Sequence, residues 1–342
     1  MFVGSMYLML DTAAHKTIVI ADGSYEQGTV EESGGSEWEH ELEIEGTEEG
    51  TGVFVIPLDK NIKAEDVVVE NNYLDRALHI LLKSAKADFY DEHAVQGDVA
   101  AIRSAGWESQ RRGVLLKFKM DSVYEYRTSM DQEMLYIEVC DPHELYPMVV
   151  VVDAGDGDIA QTEIVREVLE MLPGQLAQEE IRLYVIGTEE EEPQKKPEGK
   201  PEEEPEEESA GKLTDEERRA FVEESGADLF LTVGVAARED AGQYGVCGFY
   251  NESYFIPQFG NVEFADIVTR NVTIASGNRA IGLEAAGEDS ILQGMRIPAA
   301  GVELGNLNNE QERMLLVQED YREKLAQGIA DAIREVYTNY YE

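Results

Sequence analysis

The sequence predicts an α/β domain with a mostly parallel sheet between helices, preceded by a small all-β sandwich. Three observations predict it. The run Met148–Val152 is apolar without a break, which suits a strand buried on both faces at the centre of a parallel sheet. Helical spacing over 162–174 and a β-rich run at 181–187 follow it, the order of a βαβ unit. Before it, between residues 50 and 140, lie short β-rich runs separated by turn-like stretches, the pattern of a sandwich.

The elements follow in chain order. Residues 1–50 are poorly defined: KTIVIADG (16–23) reads as a short strand, and 31–52, dense in Glu, Gly and Ser, reads as loop or loosely held strands. Residues 51–141 form the sandwich, with strands at 52–58, 65–70, 77–83, 113–120 and 134–139. The segment 98–107 reads as a short helix or a strand edge. DPHELYP (141–147), with two prolines, reads as a linker. Residues 142–342 form the α/β domain. Ile164, Val165, Val168, Leu169 and Leu172 mark its first helix, which Pro173-Gly174 ends. The stretch 189–209 has proline at 193, 197, 201 and 205 among a surplus of Glu. Lost backbone donors and like charge predict an extended, disordered insertion. LTDEERRAFVEES (213–225) is a helix opened by a capping box of Thr214 and Glu217. A buried strand at 226–237 is followed by an aromatic loop or strand rim at 248–257. A helix at 261–276 turns Phe264, Ile267, Val268 and Val272 inward. Short strands are expected at 289–294 and 297–305. The region 310–341 reads as two helices broken near Glu319–Asp320, with Leu325, Ile329, Ile333 and Val336 on the apolar stripe.

Charge narrows the function. With 71 acidic against 28 basic residues the formal charge is −43. Phosphate binding needs clustered Lys and Arg, so the charge argues against nucleic acid and anionic membrane surfaces as partners. No apolar run approaches the ~20 residues of a membrane span. The first ten residues lack a basic n-region and a small-residue cleavage site, so no signal peptide is recognisable. Cys140 and Cys247 make no metal spacing or disulfide framework and read as buried free thiols. The turn after Val152 carries Asp153, Asp156 and Asp158 with Gly155 and Gly157, at the strand end where α/β sheets place their sites. Its plain reading is a solvated acidic turn.

Several segments agree in order with one family. NRAIG (278–282), DSILQG (289–294) and IPAAGVELGNLNNEQERMLL (297–316) resemble the C-terminal part of the zinc-dependent N-acetylmuramoyl-L-alanine amidases. ADLFLTVGVAA is similar to the family strand ending in "I-H-A-N", GFYNESYF to the segment after it, and VVVVDAGDGD to the "D-P-G-H-G-G" turn. The resemblance covers residues 146–338. It implies an amidase-like three-layer domain. Strands of the first domain resemble the AMIN-type β domain, which implies attachment to the cell envelope.

The resemblance also implies a site. The family holds one Zn²⁺ with His, Glu and His, leaves a position open for water, and uses a separate Glu as general acid/base. By resemblance the two His ligands fall on Asp156 and Gly234, the ligand Glu on Glu163 and the catalytic Glu on Glu303. Both carboxylates remain and both imidazoles are gone. The five His are at 15, 40, 79, 93 and 143, so none lies beyond the linker; His143 could reach the site only by swinging in. The reading that follows is a degenerate amidase without cofactor, a binding or regulatory module for peptidoglycan or another cell-envelope component, located outside the cytoplasm. One alternative is an active amidase cleaving the N-acetylmuramoyl–L-alanine amide, with zinc or another metal on Asp156, Glu163 and Glu303 and help from Asp153 or Asp158. Another is an acidic Ca²⁺-binding structural protein built on Asp153, Asp156 and Asp158, although that turn lacks the bidentate Glu of an EF-hand loop. Each acid also has a structural role open to it: Glu163 in a helix first turn favours the dipole, and Glu303 in an apolar strand needs a partner such as Arg296 or backbone.

Overall fold

The computed structural model describes residues 38, 40–47, 52–60, 62–155, 157, 159–188 and 213–341. The expected strand at 16–23, the insertion 189–209, Asp156 and Asp158 lie outside the described residues. The chain divides into two compact units after Asp141.

The first unit is two five-stranded sheets. One runs β1 (His40–Glu41), β7 (Ile102–Gln110), β8 (Gly113–Met120), β5 (Ala77–Lys83), β4 (Val67–Asn72). The other runs β2 (Ile44–Thr47), β6 (Val95–Asp98), β3 (Val53–Pro57), β10 (Met134–Cys140), β9 (Glu125–Met130). Alternation produces the core. Val114, Leu116 and Phe118 of β8 are fully buried, as are Leu135 and Ile137 of β10. Phe54 of β3 meets Phe118 at 5.1 Å between ring centroids, joining the inner faces. The segment 98–107 resolves to strand, because Trp107 buries against this core. Two pieces of the Glu/Gly/Ser-rich 31–52 region join the sheets as β1 and β2.

One polar contact of this unit gives a pH signature. His79 on β5 lies opposite Lys117 of β8, and its Nδ1 takes a bond from the Asn72 amide at 2.6 Å. Burial first, then Lys117, lowers its pKa to about 4. An unfolded imidazole titrates near 6.5. The stability this neutral ring contributes is therefore complete above pH ~6.5 and is lost as pH falls toward ~4. Between pH 7 and pH 4 the drop in the unit's melting temperature should be smaller in His79→Gln than in the wild type.

The second unit is a six-stranded sheet in the order β12, β11, β13, β16, β14, β15. These are β11 (Met148–Ala154), β12 (Ile181–Ile186), β13 (Leu229–Ala236), β14 (Val246–Tyr250), β15 (Ala280–Ala285) and β16 (Ala299–Asn306). Only the β14–β16 pair is antiparallel. The fold class is the one the sequence predicts. The helices are α1 (Pro142–Leu145), α2 (Ile159–Glu170), α3 (Leu172–Leu176), α4 (Asp215–Glu224), α5 (Asn261–Ser276), α6 (Glu310–Leu316) and α7 (Glu319–Tyr340).

All seven residues of β11 are buried, which is why its apolar run carries no alternation. Met148, Val150 and Val152 join one core with α2, α5 and α7. Val149, Val151 and Asp153 point to the other face, where α4 lies. Phe221 of α4 meets Tyr184 of β12 edge-on at 5.5 Å. On the first face Gly328 of α7 carries the close helix crossing: a Cβ there would lie 2.6 Å from Val272 Cα of α5. A glycine inside a helix costs about 1 kcal/mol against alanine, and here it allows the two backbones to touch.

Several local expectations need correcting. The segment 289–294 is a 3₁₀ turn at Ile291–Gly294, because Ser290 caps it by accepting from the Leu292 N–H at 3.3 Å. Helix α2 starts at Ile159 and ends at Glu170, and Pro173 opens the short α3 rather than closing a helix, since an early helical position needs no N–H. The linker 141–147 contains the helical turn α1. NRAIG leads into the edge strand β15 and the 248–257 stretch begins inside β14, neither of which periodicity announced. The capping box of α4 is present: Thr214 N–H donates to Glu217 Oε2 at 2.8 Å, and Glu217 N–H to Thr214 Oγ1 at 3.2 Å. Both cysteines are buried free thiols. Among the described residues no helix is long and apolar enough to cross a membrane.

Candidate functional site

A cleft of about 310 Å³ opens on the α4 face of the sheet. Strand alternation builds its floor. Leu231, Val233 and Val235 of β13 point into the core, so Thr232 and Gly234 face the cleft. Ala300, Val302 and Leu304 of β16 do the same, leaving Gly301 and Glu303 on the floor. Asp153 at the end of β11 completes it. Asp215 and Arg218 of α4, Phe249 of β14 and the 286–292 segment form the walls.

The floor is flat for a steric reason. A Cβ at Gly301 would crowd Phe249 Cβ and Thr232 Cγ2, each at 3.3 Å. Gly234 differs: a Cβ there would meet nothing within 4 Å. Register places Gly234 directly beside Glu303. Immediately after this pair the register shifts, so the strands part toward the loop that carries Arg238.

Each floor carboxylate has an arginine. Asp153, fully buried, lies 3.3 Å from Arg218 Nε, which is itself 2% exposed. It also accepts from Thr232 Oγ1 at 3.3 Å. Arg218 Nη1 stands 3.6 Å from Asp215. Glu303 is bonded to Arg238, whose Nη1 is 3.7 Å from Glu284 of β15. Burial raises the pKa of Glu303, Arg238 pulls it back, and Glu284 adds a smaller rise. Burial also pushes the Cys247 thiol, beside this group on β14, up to about 11.

The residues singled out in the sequence fare differently. Gly234, Glu303 and Asp153 converge on the cleft. Glu163 does not line it: it is exposed, and as the fifth residue of α2 it lies past the first turn, which has no acid. Asp156 and Asp158 lie outside the described residues. The expected Arg296 partner of Glu303 is replaced by Arg238, because the Arg296 guanidinium is over the Tyr254 ring at 4.8 Å. His143 cannot swing in. Its Nε2 donates to Gly226 O at 2.9 Å and lies 3.6 Å from Asp228, which also accepts from Val149 N–H. Those partners are at the amino ends of β11 and β13, the far edge of the sheet from the cleft.

Arg218 and Arg238 were missed. Arg218 had a signal: with Phe221, Val222 and Ser225 it falls at i, i+3, i+4, i+7, the buried stripe of α4. A charge on such a stripe asks for a buried counter-charge. Arg238 had none, since its role depends on where the chain turns after β13.

The donors that the described residues bring to the cleft do not fit Zn²⁺. Zinc takes nitrogen and sulfur, with three protein ligands when one position stays open. Gly234 offers no atom, and the two carboxylates on the floor are held by guanidinium groups. Among the described residues no three His, Cys, Asp or Glu converge as a metal-binding group. Asp153, engaged by Arg218 and Thr232, is likewise a poor member of a Ca²⁺ set.

The family model described as N-acetylmuramoyl-L-alanine amidase matches residues 152–335. The chain is 28% identical over 126 residues to N-acetylmuramoyl-L-alanine amidase CwlM of Mycobacterium tuberculosis, a match covering 36% of this chain and 30% of that protein. Among solved structures, the catalytic domain of CwlV from Bacillus (Paenibacillus) polymyxa var. colistinus is similar at 21% identity and a TM-score of 0.45, over 56% of this chain and 98% of that one. An N-acetylmuramoyl-L-alanine amidase from Clostridium difficile 630 is similar at 17% identity and a TM-score of 0.46, over 56% and 98%.

Proposed function

The chain belongs to the N-acetylmuramoyl-L-alanine amidase family, and from that premise we propose that it is a member that keeps the groove without the chemistry. It binds peptidoglycan or another cell-envelope component, outside the cytoplasm, and hydrolyses nothing. The observation that carries this is the floor of the cleft. Gly234, which by resemblance stands where the family has a His, offers no ligand, and beside it Glu303 is engaged by Arg238. A metal-activated water requires the metal's ligands first, and a general base must have its carboxylate free to reach the water. The N-terminal β unit, as an AMIN-like module, would add attachment to an envelope polymer.

The test uses the purified full-length chain. Metal analysis after dialysis should find well under one zinc per chain. Incubation with peptidoglycan should release no soluble fragments, while the chain sediments with the insoluble polymer. About one zinc per chain, or lysis that Glu303→Ala abolishes, would overturn the noncatalytic reading. Failure to sediment would overturn the binding role.

A further inference from the structure

We propose that the cleft selects the neutral sugar of the polymer: it takes an N-acetylglucosamine ring and excludes the carboxylate-bearing muramoyl peptide. The proposal deepens the binding role proposed above and rests on it.

Three features carry it. The first is size. At about 310 Å³ the cleft stands at the small end of the range for ligand pockets, so it holds one ring with its substituents rather than a length of polymer. Its open space lies over Gly234, where a Cβ would meet nothing within 4 Å. Over Gly301 the space is closed, with Leu292 Cδ1 3.6 Å from where a Cβ would stand. The second feature is a wall of two characters. Phe249 of β14 and Ile291 of the 3₁₀ turn are apolar, while Asp289 and Ser290 just before that turn, and Asp215 at the start of α4, are polar. An N-acetylhexosamine has the same division: a C–H face and an acetyl methyl that bury against apolar atoms, and hydroxyls that donate to oxygen. A hydroxyl on a carboxylate makes a charge-assisted bond, about twice as strong as a neutral one.

The third feature is charge. Among the described residues that line the cleft, Arg218 is the only cation, and it is 2% exposed between Asp153 and Asp215. Arg238, beyond the floor, is engaged by Glu303 and Glu284. At the mouth stand Asp215, 40% exposed, and Asp289, exposed. A ligand carboxylate would meet like charge there, while the one arginine of the lining already faces two acids. A cleft screens such repulsion less than bulk water does. The muramoyl peptide carries a carboxylate; N-acetylglucosamine, the other sugar of peptidoglycan, carries no charge.

The test is calorimetric titration of the full-length chain with two soluble probes, tri-N-acetylchitotriose and N-acetylmuramoyl-L-alanyl-D-isoglutamine. The trisaccharide should bind with a Kd of about 1 mM or tighter, and the muramoyl peptide at least about tenfold more weakly. Added salt should narrow that gap, since the Debye length falls to about 3 Å at 1 M. Asp289→Asn, which keeps an acceptor and removes a charge, should bind the trisaccharide as wild type does and also narrow the gap. Gly234→Leu fills the open space and should lose trisaccharide binding by about tenfold or more at an unchanged melting temperature. The trisaccharide should also displace the chain from sedimented peptidoglycan. Equal or tighter binding of the muramoyl peptide, no binding of the trisaccharide, a gap that neither salt nor Asp289→Asn narrows, or binding without displacement would each overturn the proposal. A chain that sediments with peptidoglycan yet prefers the muramoyl peptide defeats this proposal alone; a chain that does not sediment defeats the binding role itself.

Discussion

Arg218→Met should destabilise the α/β unit by about 3–5 kcal/mol, the cost of leaving one member of a buried ion pair without the other. Asp153 is 0% exposed and Arg218 2%, and they meet at the point where β11 ends and α4 crosses it. Asp153 would keep only the Thr232 hydroxyl among these two contacts. The melting temperature of this unit should fall by roughly 10 °C, at 2–4 °C per kcal/mol for a unit of this size. Asp153→Leu alone should cost less, because the guanidinium keeps Asp215 at 3.6 Å. The double variant should recover most of the loss, since an apolar pair of similar volume often replaces a buried ion pair at no net cost. A cycle of four proteins followed by thermal melting checks this. Losses that simply add would show that Arg218 contributes through its stem packing rather than its charge. The same variants bear on the cleft. Arg218 stands in its wall and Asp153 in its floor, so a double variant that folds but no longer sediments with peptidoglycan would show the pair to be part of the binding surface.

The fold was legible because its strongest signals are local and redundant. The apolar run at 148–152, β-branched and short, reads as a strand buried on both faces. The spacing over 261–276 marks α5 to its ends, and the capping box at Thr214 fixes where α4 begins. What escaped notice was the sheet's edge. β15 has exposed or half-exposed residues throughout, so neither alternation nor an apolar run announces it. The 289–294 segment misled because Ile291 and Leu292 are adjacent apolar residues, which a buried 3₁₀ turn uses as readily as a strand. Of the floor, Gly234 and Glu303 were legible only through the family resemblance, and Asp153 through its place at the end of the apolar run; Thr232 was not singled out. The arginines that answer those acids were less legible. One sits 65 residues from its partner in sequence, and such a contact exists only once the strands are side by side.

If positions 156, 163 and 234 form one centre as the resemblance implies, Asp156→His/Gly234→His should bind about one zinc per chain, against the well under one expected of the wild type, and should still cleave nothing. Gly234 is the favourable half of the change. A side chain there enters open space, and its Cβ needs no neighbour to move. Replacing glycine within a strand also removes its excess unfolded-state entropy, a gain of about 0.5–1 kcal/mol that offsets part of any cost. Strand alternation then aims the imidazole into the cleft beside Glu303. By the resemblance, a second imidazole at 156 and the carboxylate of Glu163, which would have to turn in from the exposed side of α2, complete the family's three-ligand set and leave the fourth position for water. Both imidazoles must be neutral to ligate, so zinc should be lost as pH falls below ~6. Metal analysis after dialysis, with a zinc-dependent rise in melting temperature as the second readout, checks the binding. A variant that folds without taking zinc would show that positions 156, 163 and 234 do not form one centre. Cleavage should fail for a separate reason. Glu303 remains bonded to Arg238, and a carboxylate held by a guanidinium is a weak base toward water. Hydrolysis by the zinc-loaded variant with Arg238 intact would show that this pair opens readily and does not itself prevent cleavage.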